Sequence, residues 1–127
     1  MKKTTVLLCA LAFAIAAFAA GAWTVIQRGW GTQSVTAIVI NDTDQTLRAV
    51  TIHFEACGNK GSISGGELAP SHSHRLRYSV CGEGGYTVEA VFADGQVVKG
   101  SGGYVESGYV STERISRSGI ASSQAFY

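Results

Sequence analysis

The chain has 127 residues, and ten Lys and Arg against nine Asp and Glu leave a formal net charge of +1. Lys2, Lys3 and Arg28 account for three of the basic residues, so the rest of the chain carries seven against nine, about −2, with no basic run. That balance gives nucleic-acid binding no electrostatic footprint, and the 97 residues after residue 30 allow one small domain and no more.

The chain opens with Met1-Lys2-Lys3, followed by an uncharged run from Val6 to Ile26 and then Arg28 between Trp23 and Trp30. Positive charge before an apolar run is the anatomy of an export leader or a single membrane anchor. As a helix, the 21 residues Val6–Ile26 reach about 31 Å, enough for the hydrocarbon core. Ala17-Phe18-Ala19 and Ala20-Gly21-Ala22 both present small residues in a cleavage frame, so residues 1–30 read as a signal peptide or a single transmembrane anchor. A retained leader implies a bacterial inner-membrane protein with its domain in the periplasm. A removed one implies a soluble periplasmic protein. Cys9 sits inside the apolar run behind Leu8, where a lipoprotein signal needs a small residue, and serves as apolar filler.

Residues 31–116 read as strand after strand. Val35–Ile40 is rich in β-branched residues and ends in Asn41-Asp42-Thr43-Asp44, a cluster of turn formers. From Val50 the chain alternates, with Val50, Ile52 and Phe54 on one side and Thr51, His53 and Glu55 on the other. Residues 58–66 are glycine-rich and read as a loop with a short strand centred on Ile63. Leu68-Ala69-Pro70-Ser71 is a turn entry, because proline removes a ladder hydrogen bond.

Leu76, Tyr78 and Val80 alternate inward, and after Gly82-Glu83-Gly84-Gly85 so do Tyr86, Val88, Ala90 and Phe92. Asp94-Gly95 predicts a two-residue hairpin pairing 86–92 with 96–100. A last strand covers about 109–115, and the Ser-rich residues 117–127 read as a flexible tail.

About seven short strands at this spacing predict an all-β fold, a small antiparallel immunoglobulin-like β-sandwich, with a small barrel as the alternative. The Leu68-Ala69-Pro70 turn entry followed by an alternating strand resembles bacterial immunoglobulin-like envelope modules. With Cys9 in the leader, Cys57 and Cys81 are the domain's only pair, and in an oxidising compartment they are expected to form a disulfide.

Candidate chemistry is sparse. His72 and His74 put two imidazoles on one side of an extended segment, and His53 offers a third metal ligand if the fold brings it near. Asn41–Asp44 alternates oxygen ligands but lacks the glycine and distal glutamate of a calcium loop, which leaves an Asx-type turn. Gly84-Gly85-Tyr86 and Gly102-Gly103-Tyr104 repeat, and Ser107-Gly108-Tyr109 echoes them, so Tyr86, Tyr104 and Tyr109 are candidates for a partner- or glycan-binding surface. No nucleophile elbow or identifiable carboxylate pair is present, so neither enzyme activity nor a cofactor is expected. The expectation is a non-enzymatic exported binding module that works by protein–protein contact, as an accessory subunit or an immunity-type protein. A periplasmic metal-binding protein using the histidines, or a glycan-binding module using the tyrosines, is the alternative.

Overall fold

The computed structural model describes residues 2–28 and 34–126. The chain divides into two compact units, Met1–Thr32 and Gln33–Tyr127. In the first, a helix α1 (Lys2–Arg28) exposes Leu11, Phe13, Ile15, Phe18 and Trp23. Among the described residues no helix is long and apolar enough to cross a membrane. The flank at Trp30 lies outside the described residues.

The second unit contains eight strands: β1 (Ser34–Asn41), β2 (Leu47–Ala56), β3 (Asn59–Gly65), β4 (Ser73–Ser79), β5 (Gly84–Phe92), β6 (Val97–Val105), β7 (Tyr109–Ser116) and β8 (Gly119–Phe126). They form two four-stranded sheets, ordered β4-β1-β7-β8 and β3-β2-β5-β6. The second sheet is antiparallel throughout. In the first, β1 runs parallel to β7, with Thr36 opposite Val110 and Asn41 opposite Ile115. The all-β sandwich expected from the alternating pattern is therefore present, but with eight strands in place of about seven, and the expectation of wholly antiparallel pairing is corrected by the parallel β1–β7 pair.

The core follows the two-residue period of a strand. In β1, Val35, Ala37 and Val39 are buried with Asn41, and in β5 Tyr86, Val88, Ala90 and Phe92 are buried as their alternation predicts. Val50 and Ile52 are buried, while Phe54 is half-buried and stacks on the Tyr78 ring at 4.5 Å between centroids. Residues 59–65, which the glycines marked as mostly loop, form the full strand β3.

The expected flexible tail is corrected too. Residues 119–126 pair along the whole of β7, from Tyr109 opposite Phe126 to Ser116 opposite Gly119. Small and polar residues form a strand there because β7 supplies a ladder for their backbone groups.

Hairpin chemistry also differs from expectation. Gly95 alone has positive φ at the β5–β6 turn, and Phe92 and Gln96 close a three-residue loop, Ala93-Asp94-Gly95. A two-residue type I′ turn requires positive φ at both central positions. That condition is met instead between β2 and β3, where Cys57 (φ 52°) and Gly58 (φ 73°) separate Ala56 from its partner Asn59. The same Cys57 bonds to Cys81 between β4 and β5, with Cα atoms 6.1 Å apart, as expected from the cysteine count. At the other end, the buried Asn41 side chain donates to the carbonyls of Gln45 and Leu68 and accepts from Thr43. The Asn41–Asp44 segment is thus an Asx-type turn, and Asp42 pairs with Arg114 at 2.8 Å.

Two glycines stand where backbones or rings come too close for a side chain. A Cβ on Gly84 would lie 2.0 Å from the Glu55 carbonyl oxygen, and one on Gly102 would enter the Tyr86 ring. Nothing lies within 4 Å of such an atom on Gly66. Gly84→Ala is therefore expected to lower stability by about 2 kcal/mol through overpacking. Gly66→Ala should be neutral or stabilising by about 0.5 kcal/mol through the unfolded state. Urea unfolding of the two variants checks the contrast, and equal midpoints would contradict it. Reducing the disulfide, which joins residues 24 apart, should cost about 3.5 kcal/mol in the chain-entropy model, read as a shift in the same midpoint.

Candidate functional site

The disulfide and the β6–β7 connection lie at the same end of the sandwich, since β2 and β6 end there and β3 and β7 begin there. Val105 is buried and fixes the end of β6, so the chain turns sharply through Glu106-Ser107-Gly108. Tyr109 N–H donates to Glu106 O at 3.1 Å to close that turn, and Gly108 N–H donates to Ser34 O at 2.9 Å to tie it to β1. This short return brings Tyr104 and Tyr109 into edge contact, with centroids 5.5 Å apart and planes at 75°. Phe126, the cross-strand partner of Tyr109, continues the row at 5.2 Å and 77°. Edge-to-face geometry is the favoured arrangement of aromatic quadrupoles.

Three rings thus form a ladder across β6, β7 and β8, with Tyr104 40% and Phe126 68% exposed. The Tyr104 hydroxyl donates to Glu106 Oε2 at 2.9 Å, and the Glu83 carboxylate approaches the same hydroxyl. Gln124 Nε2 donates to the Tyr104 carbonyl and ties β8 to β6.

Tyr86 is elsewhere. As an inward residue of β5 it is buried, and its hydroxyl donates to Glu113 Oε1 at 2.6 Å. Glu113 is fully buried on β7, and its other oxygen accepts from the Ser122 hydroxyl of β8. Tyr78 and Ser111 are buried beside this pair. Burial first, and then the hydrogen bond to Glu113, push the Tyr86 hydroxyl up to about 12. Burial also raises Tyr78, helped by the nearby Tyr86 and Glu113.

Of the three candidate surface tyrosines, then, two meet at the surface and the third serves the core. Phe126 completes the surface and was missed because its segment read as tail. The alternation of Ile120, Ser122, Gln124 and Phe126 after the Ser118-Gly119 turn signal was the clue.

The histidines do not converge. His53 is exposed on β2 between Ser62 and Thr87 of the flanking strands. The His72 ring nitrogen lies 2.8 Å from Pro70 O in the turn before β4. His74, half-buried on β4, lies against Gly65 of β3. His53 belongs to the outward set of β2 and His74 to the inward set of β4, so strand alternation separates them. Among the described residues no group of three His, Cys, Asp or Glu side chains is placed to hold a metal ion. An open groove of about 610 Å3 crosses the β2–β3–β5–β6 sheet, lined by His53, Glu55, Lys60, Gly85, Thr87 and Gly103. The Lys60–Glu55 pair at 3.5 Å spans it.

No family model and no curated protein matches the chain. Among solved structures, an NMR structure of a protein from Eubacterium rectale is similar at a TM-score of 0.49 and 15% identity, covering 77% of this chain and 94% of that one. A crystal structure of a candidate cell adhesion protein from Bacteroides uniformis is similar at a TM-score of 0.41 and 15% identity, covering 75% of this chain and half of that one.

The Tyr86–Glu113 pair has a pH signature. An unfolded tyrosine ionises near 10, whereas Tyr86 in the fold holds its proton to about 12. Between those values the folded state binds more protons than the unfolded state. The stability contributed by the neutral phenol is therefore fully present below pH 10 and is lost as pH rises through about 12. The urea midpoint should fall over that window, and less steeply in Tyr86→Phe. At neutral pH that variant should also lose about 1–3 kcal/mol, because the buried Glu113 carboxylate loses a donor. A midpoint independent of pH across the window would show that the hydroxyl titrates as in water.

Proposed function

We propose that this protein is a non-enzymatic, exported binding module that acts by protein–protein contact through its Tyr104–Tyr109–Phe126 end. The observation that carries the reading is the exposed ring ladder itself. Aromatic side chains combine large apolar area with low ordering entropy and are enriched in the central contacts of interfaces. Here the rings are held in place before any partner arrives, by Val105, by the turn bonds at Glu106 and Gly108, and by Gln124. A site built on ordered strand ends loses less entropy on binding than one on mobile loops.

Export to the bacterial periplasm is part of the same proposal. It is supported by the charge–apolar–small-residue order of residues 1–30 and by the Cys57–Cys81 bond, which requires an oxidising compartment to persist. The finer assignment of the sandwich as immunoglobulin-like also belongs here, supported by two four-stranded sheets of short strands around one core.

Photo-crosslinking in the host organism tests the contact. A photoreactive residue placed at Phe126 of the full chain should give a discrete protein adduct. The same probe at Thr51, on the outer side of the other sheet, should not. Equal adducts from both positions, or none from Phe126, would remove the ladder as the contact surface.

A further inference from the structure

We infer that the aromatic end receives a cationic side chain, a Lys or Arg within a basic segment of the protein partner. This rests on the proposed contact function and names the chemistry of the partner. Three observations point the same way.

The first is the company the rings keep. Tyr104 is flanked by two carboxylates, Glu106 in hydrogen-bond contact with its hydroxyl and Glu83 approaching it. An aromatic row beside negative charge attracts a cation twice over, through the ring quadrupole and through Coulomb attraction.

The second is that the domain's own cations are engaged elsewhere and none pairs with these two carboxylates. Lys60 pairs with Glu55, Lys99 with Glu89, Arg114 with Asp42 and Arg117 with Asp94. Among the described residues neither Glu83 nor Glu106 forms an ion pair. Arg48, near the start of β2, belongs to the opposite end of the strands, and Arg75 and Arg77 are exposed on β4, the edge strand that β1 separates from β7 and β8.

The third is that the same combination occurs at the far end with its cation present. The Arg117 guanidinium lies 4.6 Å over the Phe92 ring and pairs with Asp94 at 2.8 Å. There the chain fills a ring-plus-carboxylate site from within. At the disulfide end the rings and carboxylates are assembled, Phe126 is 68% exposed, and the complementary charge must come from outside.

Amide-resolved NMR titration of the full chain in zwitterionic micelles tests this with defined probes: end-blocked tri-arginine and tri-lysine, with tri-glutamate and tri-serine as controls. The basic peptides should produce saturable shifts at Tyr104, Glu106, Tyr109 and Phe126, and the controls should not. The double variant Glu83→Gln/Glu106→Gln keeps the shape of both side chains and should raise the half-saturation concentration at least fivefold. Phe126→Ala should do the same. The rest of each variant's spectrum reports its fold, and if Phe126→Ala fails to fold, the surface double variant still decides.

Equal shifts with tri-serine, no saturable shift at the ladder, or an unchanged half-saturation in the double variant would overturn the inference. Crosslinking from Phe126 that persists in the double variant would overturn the cation specificity and leave the contact surface standing. Crosslinking absent from the unsubstituted chain would remove the contact reading itself.

Discussion

A buried carboxylate joins the two sheets. Glu113 sits inside the sandwich with one oxygen receiving the Tyr86 hydroxyl from β5 and the other the Ser122 hydroxyl from β8. A carboxyl group in such a place is tolerated only when its oxygens are hydrogen-bonded, and losing one donor exposes the cost of desolvation. The bond to Tyr86 therefore sets the distance between sheets at this point, and the bond to Ser122 draws in β8. That strand has little else to hold it. Most of its side chains are exposed, and Ile120 is its one aliphatic residue packed against the core. Its position depends on the ladder with β7 and on polar ties to Glu113 and to the end of β6.

The exposed end inherits its order from that arrangement. Phe126 reaches Tyr109 because the register of β8 on β7 places them opposite each other, and the same register aligns Ser122 with Glu113. Tyr104 joins them because Gln124 holds its carbonyl and the Glu106–Gly108 turn returns the chain within a few residues. One strand register thus serves a core hydrogen bond and a surface row of rings. The disulfide at the same end clamps the β2–β3 turn to the β4–β5 connection.

Legibility in the sequence followed the strength of the side-chain pattern. Where large apolar residues alternate, as in Tyr86–Phe92, both the strand and its buried face could be read directly, because burial of those side chains is what forms the strand. Where a strand is stabilised by its neighbour's backbone, the pattern was silent. β3 is mostly glycine and serine around Ile63 and β8 mostly small residues between Ile120 and Phe126, and such composition is shared with loops. The type I′ turn at Cys57-Gly58 was hidden for a related reason: cysteine was read for its sulfur, and its positive φ follows from the hairpin register. The histidines show the converse. Their spacing allowed a cluster, and assignment to opposite faces of different strands dispersed it.

The sequence by itself determined the all-strand class, the inward residues of the strong strands and the pairing of the two cysteines of the domain. Periodicity, turn chemistry and a count of thiols are local properties that each segment carries with it. The tertiary structure decided which of three tyrosines faces water, that a phenylalanine near the C-terminus completes their row, and that a glutamate belongs in the core. Those outcomes depend on which strands become neighbours and in what register, and a register exists only once two distant segments have paired.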